Sequence, residues 1–393
     1  MDSSPKRYLM VIKTVVFLYS HFWPMAEAVQ KAGWDVWIAA DCDADPKRIL
    51  DAGMKFLPLP SVDGLGQIVG ELESIIKLNA LLHKVKPDLV HFIYLKNVLT
   101  GGIIARLNGV PAVLGAITGM GSLFANDRPL YRVIQRGVVA GLRIGYRQSN
   151  SVLAFENSDD RDYFVSRGAI RKERSAIIPG AGVDKDWTTY RPWQGRTPII
   201  LCAARMIQDK GIIELIEACR MLRRRGVPFE LWLAGGIYFG NPTSLTEQQL
   251  KIMEEERIGK WLGQRTDMSS LLEAASIFCL PTYYREGLPR VLVEAGAAGR
   301  PSVTTDVPGC RDIVKDGING LLIPPKDPTA LADALQYLLQ NPEKREEMGV
   351  AARRVFESSF TLDAVLISLS ECFSRLGVPL NLSTDRHLSI VSV

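Results

Sequence analysis

Short β-branched runs alternate with helical patterns along this chain, and the alternation occurs twice. In the first half, strand patterns fall at Met10–Tyr19, Asp35–Ala39, Leu89–Phe92, Ala112–Ala116 and Ser151–Ala154, with helical patterns at Pro24–Ala32, Gln67–Val85 and Leu99–Leu107. Ala32-Gly33, Lys86-Pro87-Asp88 and Gly109-Val110-Pro111 break the pattern between them. Such alternation predicts parallel strands joined by helical crossovers. A turn-rich stretch from Pro179 to Pro198 follows and reads as a linker. The pattern then restarts, with strands at Ile199–Ala203, Glu230–Ala234, Ile277–Leu280, Ser302–Thr305 and Gly320–Ile323. The expectation is an α/β protein of two Rossmann-like parallel domains facing across a cleft, where a ligand would sit. The boundaries expected are 1–180, a linker at 181–197, and 198–360. A C-terminal helix at 361–378 returns toward the first domain, and a poorly ordered tail occupies 379–393.

The 393 residues suit two domains, and 47% hydrophobic with 23% charged residues is an ordinary globular balance. The net charge of +4 resides in the first half, which suits an anionic partner but is too small to argue for nucleic acid. The six cysteines (Cys42, Cys202, Cys219, Cys279, Cys310 and Cys372) form no Cys-x-x-Cys pair, and no histidine stands at metal-ligand spacing from them. They read as reduced thiols, mostly buried, in a cytosolic protein. The apolar run at 8–20 is interrupted by Lys13 and followed by His21-Phe22-Trp23, a poor cleavage region. It reads as a buried first strand rather than a signal peptide.

The chemistry concentrates near Arg285–Glu294. Glu286 and Glu294 are eight apart, and Gly287-Leu288-Pro289 places a helix start beside Glu286. Amides at such a start favour an anion such as a diphosphate. Ionised carboxylates accept from vicinal hydroxyls. Two glutamates at this spacing would ordinarily be surface residues. Arg205 and Lys210 alter that reading, because they follow the strand Ile199–Ala203 at the edge where ligands sit in open parallel sheets. Together they can neutralise a diphosphate leaving group without a metal.

Other features are weighed against plainer readings. Asp41-Cys42-Asp43 contains an Asp-x-Asp but precedes Pro46 and reads as a solvated turn. Of His21, His83, His91 and His387, His21 and His91 fall at the ligand edge of the first sheet. Each is a candidate for acceptor or donor phosphate, against simple packing or capping. Arg128, Arg132, Arg136, Arg143 and Arg147 have no acidic residue between them. They fall within about 100° of one another on a helical wheel. A basic amphipathic helix can lie on an anionic membrane surface, and Phe22 and Trp23 are candidates for the same contact. The plainer reading is a solvated charged face.

Several motifs stand in order: Arg205-Met206, Lys210-Gly211, Leu262-Gly263-Gln264-Arg265, Glu286-Gly287-Leu288-Pro289 with Glu294-Ala295, Asp306-Val307-Pro308-Gly309-Cys310-Arg311-Asp312, and Asp316-Gly317 with Asn319-Gly320-Leu321. This series resembles glycosyltransferase family 4, retaining enzymes of the GT-B fold. In the first half, Val90–Lys96, Ile117–Phe124 and Phe155–Asp160 resemble the bacterial surface-glycan branch, which includes the N,N'-diacetylbacillosaminyl-diphospho-undecaprenol alpha-1,3-N-acetylgalactosaminyltransferases. The resemblance implies that Arg205 and Lys210 bind the donor diphosphate and that Glu286 and the Gly287–Leu288 backbone hold the donor sugar. Glu294 would bind the ribose and Arg265 the uracil. The implied donor is a UDP-sugar carrying an N-acetylhexosamine or hexose, with no metal or other cofactor. The implied acceptor is a glycan on undecaprenyl diphosphate, and Lys96 and Thr118 join His21 and His91 as acceptor-side candidates. Thr118-Gly119 stands where some relatives carry a histidine, so a general base there is not expected. Retention by double displacement needs a nucleophilic carboxylate in the first domain, for which there is no obvious candidate. Front-face transfer is therefore expected, with Glu286 positioning the sugar. A sugar-nucleotide 2-epimerase and a non-catalytic nucleotide-sugar-binding protein are the alternatives. The expected location is the cytoplasmic face of the plasma membrane.

Overall fold

The computed structural model describes residues 5–60, 68–124, 128–238 and 240–382. The chain divides into two compact units, one of residues 1–181 with 365–393 and one of 182–364.

The first unit contains β1 (Arg7–Thr14), β2 (Asp35–Asp41), β3 (Lys55–Pro58), β4 (Leu89–Ile93), β5 (Ala112–Ile117), β6 (Ser151–Phe155) and β7 (Ser175–Ile177). They form one sheet in the order β3-β2-β1-β4-β5-β6-β7. Every pairing is parallel, with Met10 opposite both Ile38 and His91. The main crossover helices are α1 (Trp23–Lys31), α2 (Ile68–Val85), α3 (Leu95–Leu107), α4 (Pro129–Gly145) and α5 (Ser158–Ser166). One sheet face is packed by Leu9, Val11, Val90, Phe92 and Val113. The two-residue period leaves Tyr8, Met10, His91 and Leu114 for the other face.

The first strand is shorter than its apolar run predicts. It ends at Thr14, whose Oγ1 accepts the Phe17 amide at 3.1 Å and starts a helical turn over Val15–Phe17, continued as a π-helix over Leu18–Phe22. Capping and the burial of Val15 and Leu18 override the β preference of the Val15-Val16 pair. His21 therefore lies in a helical turn. Phe22 and Trp23, expected at a membrane, are buried, with the Arg48 guanidinium 4.2 Å from the Trp23 ring. The start of the second helical pattern at Gln67, the tail beyond 382 and His387 lie outside the described residues. Five cysteines are buried and Cys42 is exposed. Among the described residues no helix is long and apolar enough to cross a membrane.

The second unit contains β8 (Ile199–Ala203), β9 (Glu230–Ala234), β10 (Lys260–Trp261), β11 (Ile277–Leu280), β12 (Ser302–Thr305) and β13 (Gly320–Ile323), in the order β10-β9-β8-β11-β12-β13. Helices α6 (Ile212–Arg224), α7 (Glu247–Glu255), α8 (Met268–Ala274), α9 (Arg290–Ala297), α10 (Pro328–Gln340) and α11 (Pro342–Ser359) cover it. Ile200, Cys202, Leu231 and Cys279 pack one face, and Leu201, Ala203, Phe278 and Leu280 the other. Strands buried on both faces read as continuous apolar runs, which makes the bounds of β8 and β11 readable in sequence, whereas the two-residue β10 gives no such run and is not predicted. The turn-rich stretch packs onto this unit: Trp193 Nε1 donates to the Ala274 carbonyl at 3.0 Å, and Val183 bridges Thr361. The last helix, α12 (Leu362–Arg375), sets Phe373 against Tyr8 and Trp34 of the first unit, with ring centroids 5.9 and 5.6 Å apart.

Candidate active site

In the second sheet the chain builds outward from β8 to β10, then returns to the other side of β8 with β11. The loops after β8 and β11 therefore diverge from adjacent strand ends, the switch point where open α/β sheets bind ligands. Lys210 closes a 3₁₀ turn in the first loop, Gln208–Lys210, and Glu286 lies in the second. Three bonds tie the loops together at one atom. The Asp209 carbonyl accepts from the Tyr283 amide at 3.0 Å, the Tyr284 amide at 3.1 Å and Thr282 Oγ1 at 3.1 Å. Gly211 makes this approach sterically possible. Its φ is +74°, and a Cβ there would lie 2.1 Å from the Pro281 carbonyl oxygen. Across this clamp the Lys210 ammonium meets the Glu286 carboxylate, their side chains only 12% and 15% exposed. The ammonium also lies 5.6 Å from the Tyr284 ring centroid.

The second loop runs into α9, whose N-cap is Pro289 and which no side chain caps. Gly309, at φ +81°, packs its backbone on this loop; a Cβ there would meet the Gly287 carbonyl oxygen at 2.3 Å. Glu294 sits one turn into α9 on the side of Arg290, as its spacing predicts, and Arg290 Nε donates to it at 2.9 Å. Its carboxyl is buried, and burial pushes its pKa up while the guanidinium pulls it down. Arg205 is exposed, its guanidinium 5.0 Å from the Tyr238 ring. Arg265, on the loop after β10, is also exposed and forms a fork with Asp267 at 2.8 and 2.6 Å. The fold thus brings Lys210 and Glu286 into contact and sets Glu294 on the helix that follows. Arg205 and Arg265 stand on their own loops, against Tyr238 and Asp267.

Around this centre Thr282, Tyr283, Thr304 and Thr305 carry no site expectation from the sequence, and Cys310 only that of a buried thiol within a motif. The Thr305 hydroxyl donates to the Thr282 carbonyl, and the Thr304 hydroxyl to the Leu280 carbonyl at 2.6 Å. These bonds tie the end of β12 to the end of β11. Burial, with Glu214 and Asp209 nearby, raises the Tyr283 phenol to about 12, and Lys326 lies 4.5 Å from its ring. Cys310 is pushed up to about 12 chiefly by burial. The sequence signal for Tyr283 and Tyr284 was their place just past a strand end, ahead of Glu286.

In the first unit, His91 is buried within β4 rather than exposed at the sheet edge, its Nδ1 2.6 Å from the Tyr8 hydroxyl. Burial lowers its pKa to about 3, so it is neutral and cannot pair with a phosphate as a cation. His21 Nδ1 lies 2.7 Å from Ser20 Oγ. Lys96 lines a cavity of about 30 Å³ with Lys13, Asn97 and Thr100, and Thr118 lines a separate one with His91. The five arginines are exposed, but Arg143 is committed to the Gly168 and Arg167 carbonyls at 2.7 and 2.8 Å.

The fold is GT-B, the architecture of a large class of glycosyltransferases, and the chain resembles Anabaena HepE, solved in complex with UDP and glucose, with a TM-score of 0.73. That likeness covers 94% of this chain and 99% of HepE at 18% identity. The family model for glycosyl transferases group 1 matches residues 186–355, and that for glycosyl transferase 4-like proteins matches 11–154. The chain belongs to family 4 of the glycosyltransferases. It is 23% identical over 343 residues to the N,N'-diacetylbacillosaminyl-diphospho-undecaprenol alpha-1,3-N-acetylgalactosaminyltransferase of Campylobacter jejuni, covering 84% of this chain and 88% of that protein. It is also 23% identical to the UDP-Gal:alpha-D-GlcNAc-diphosphoundecaprenol alpha-1,3-galactosyltransferase of Escherichia coli, covering 73% and 75%.

Proposed function

We propose that this glycosyltransferase moves an N-acetylhexosamine, with retention of configuration, from a UDP-sugar to a glycan on undecaprenyl diphosphate in bacterial surface-glycan synthesis. The observation that carries the donor half is the contact of Lys210 with Glu286 across two clamped loops at the switch point of the second sheet. An ammonium has three N–H donors, so Lys210 can hold Glu286 and still donate to a diphosphate. Glu286 then accepts from hydroxyls of the donor sugar, and Arg205 adds a second cation at the phosphates. Glu294 accepts from the ribose and Arg265 stacks near the base. The two cations meet the charge of the leaving diphosphate, so a metal is not called for. In the transfer the C1–O bond to UDP breaks with its electron pair on the β-phosphate oxygen. The acceptor oxygen bonds C1 on the same face, and its proton passes to the departing phosphate. The relatives from Campylobacter jejuni and Escherichia coli, named for undecaprenyl-linked acceptors, support the acceptor half.

The exposed face of α4 supports a membrane contact. Arg132 and Arg136 lie on α4 with Leu130, Val133 and Ile144, which are 68%, 62% and 53% exposed, whereas Arg128 is the helix N-cap and Arg147 lies beyond its end, so the five arginines do not form one helical face as their spacing predicts. Arginines beside bare aliphatic side chains match the headgroup and acyl levels of an anionic bilayer. The deciding assay offers a panel of UDP-sugars with a short-chain polyprenyl-diphosphate glycan and follows UDP and glycolipid together. A sugar nucleotide isomerised without UDP release would identify an epimerase and overturn the proposal.

A further inference from the structure

A cavity beneath the ends of β5 and β6 in the first unit is lined by His91, whose ring carries an unsatisfied polar group. His91 is 0% exposed, and its Nε2 is a buried atom with no hydrogen-bond partner among the described residues. The other ring nitrogen, Nδ1, lies 2.6 Å from the Tyr8 hydroxyl, itself fully buried. This pairing sets the tautomer. Among the described residues Tyr8 has no other hydrogen-bonding partner, so its O–H is satisfied by donating to Nδ1. The proton of the neutral ring is then on Nε2, which is left as a donor without an acceptor. Buried polar groups are almost always paired, and one that is not calls for an explanation.

His91 lines a cavity of about 10 Å³ together with Met25, Ala116, Thr118, Ala154 and Glu156. That volume admits one oxygen-sized group and no sugar ring. Thr118 and Glu156 directly follow β5 and β6 at the ligand edge of the sheet, and each can accept a hydrogen bond. A hydroxyl entering here would receive from Nε2–H and donate to one of these oxygens, completing its set. A neutral donor in an apolar wall suits a hydroxyl better than a phosphate, whose charge would have to be desolvated.

Resting on the proposed function, we infer that His91 Nε2–H binds one hydroxyl of the acceptor's terminal sugar, with Tyr8 as the positioning residue that holds the ring in the donating tautomer. The subsite discriminates acceptors by reach: only a hydroxyl that can enter the cavity satisfies the donor.

The test is a cycle between protein and acceptor. Deoxy analogues of the terminal sugar, one hydroxyl removed at a time, are assayed with wild type, His91→Leu and Tyr8→Phe, with thermal unfolding confirming that each is folded. In wild type one analogue should lose about 10-fold or more in kcat/KM, because it strands a buried donor. In His91→Leu that analogue should be used within about twofold of the parent acceptor, since the donor is already gone. Tyr8→Phe should reduce the same analogue's penalty while leaving the other analogues' penalties in place. Equal penalties in wild type and His91→Leu for every analogue would overturn the subsite, and so would an ordered water that stays on Nε2 with acceptor bound. Donor hydrolysis without glycolipid from any acceptor would refute the proposed function, and the subsite with it.

Discussion

Replacing Lys210 by alanine tests the donor site most directly. Its ammonium and the Glu286 carboxylate are each about seven-eighths covered, so little water can replace either partner. A hydrogen bond between charged groups contributes about 1.5–3 kcal/mol, and stranding one buried partner costs a similar amount. At this rim position some rehydration is available, so a loss of about 1–3 kcal/mol is expected. For a unit of this size that lowers Tm by roughly 2–12 °C without unfolding the protein. The catalytic loss should be larger. A preorganised charge lost from a leaving group costs about 100- to 1,000-fold in kcat. Glu286→Ala should also lower turnover strongly, while Lys210 remains for the phosphates. Lys210→Ala together with Glu286→Ala should be less unstable than the single losses add up to, because no charge is stranded. Rates of UDP release, with saturating donor and acceptor, and thermal unfolding of all three proteins decide this. Lys210→Ala turning over within about threefold of wild type would refute the site, whatever its stability.

Gly211→Ala should cripple the enzyme through geometry alone: a methyl 2.1 Å from the Pro281 carbonyl, at φ +74°, must open the loop clamp, at an expected cost of about 2–4 kcal/mol in unfolding and most of the turnover. His91 links stability to pH. Its folded pKa, near 3, lies below the usual histidine value, so its contribution is present above about pH 6.5 and is lost as pH falls toward 3. Wild type should therefore lose Tm between pH 6.5 and 4 more steeply than His91→Leu; parallel pH profiles would contradict the burial of a neutral ring. Neutralising Arg132 and Arg136 should weaken flotation with anionic liposomes about fivefold per charge, and Leu130→Ser with Val133→Ser should weaken it on neutral liposomes too. Undiminished flotation in both would remove α4 from the membrane contact.

The parts that could be read in the sequence share a physical cause. Strands β8 and β11 are covered on both faces, so their apolar runs begin and end where the sheet does. Helix period places Glu294 near the side of residue 290 or 291, and the structure bonds it to Arg290 at 2.9 Å. Readings failed where a local bond outweighed propensity. Val15 and Val16 favour a strand, yet Thr14 caps a helical turn over them. Trp23 reads as an interfacial aromatic, yet it is packed inside.

Legibility of the site follows the same division. Charged side chains such as Lys210, Glu286 and Glu294 declare themselves by type and position. The groups that align them are backbone atoms or unremarkable residues: the Asp209 carbonyl, the Gly211 and Gly309 backbones, and the Thr282 and Thr305 hydroxyls. A carbonyl is present at every residue, so no sequence marks the one that receives three donors. His91 shows the limit from the other side. Its type suggested a phosphate ligand at the sheet edge, but Tyr8, 83 positions away, decides its proton and burial decides its charge. Both facts arise only when β1 and β4 lie side by side. Residue type can thus mark the candidate donor site, whereas the acceptor-side role proposed for His91 depends on which strands are neighbours.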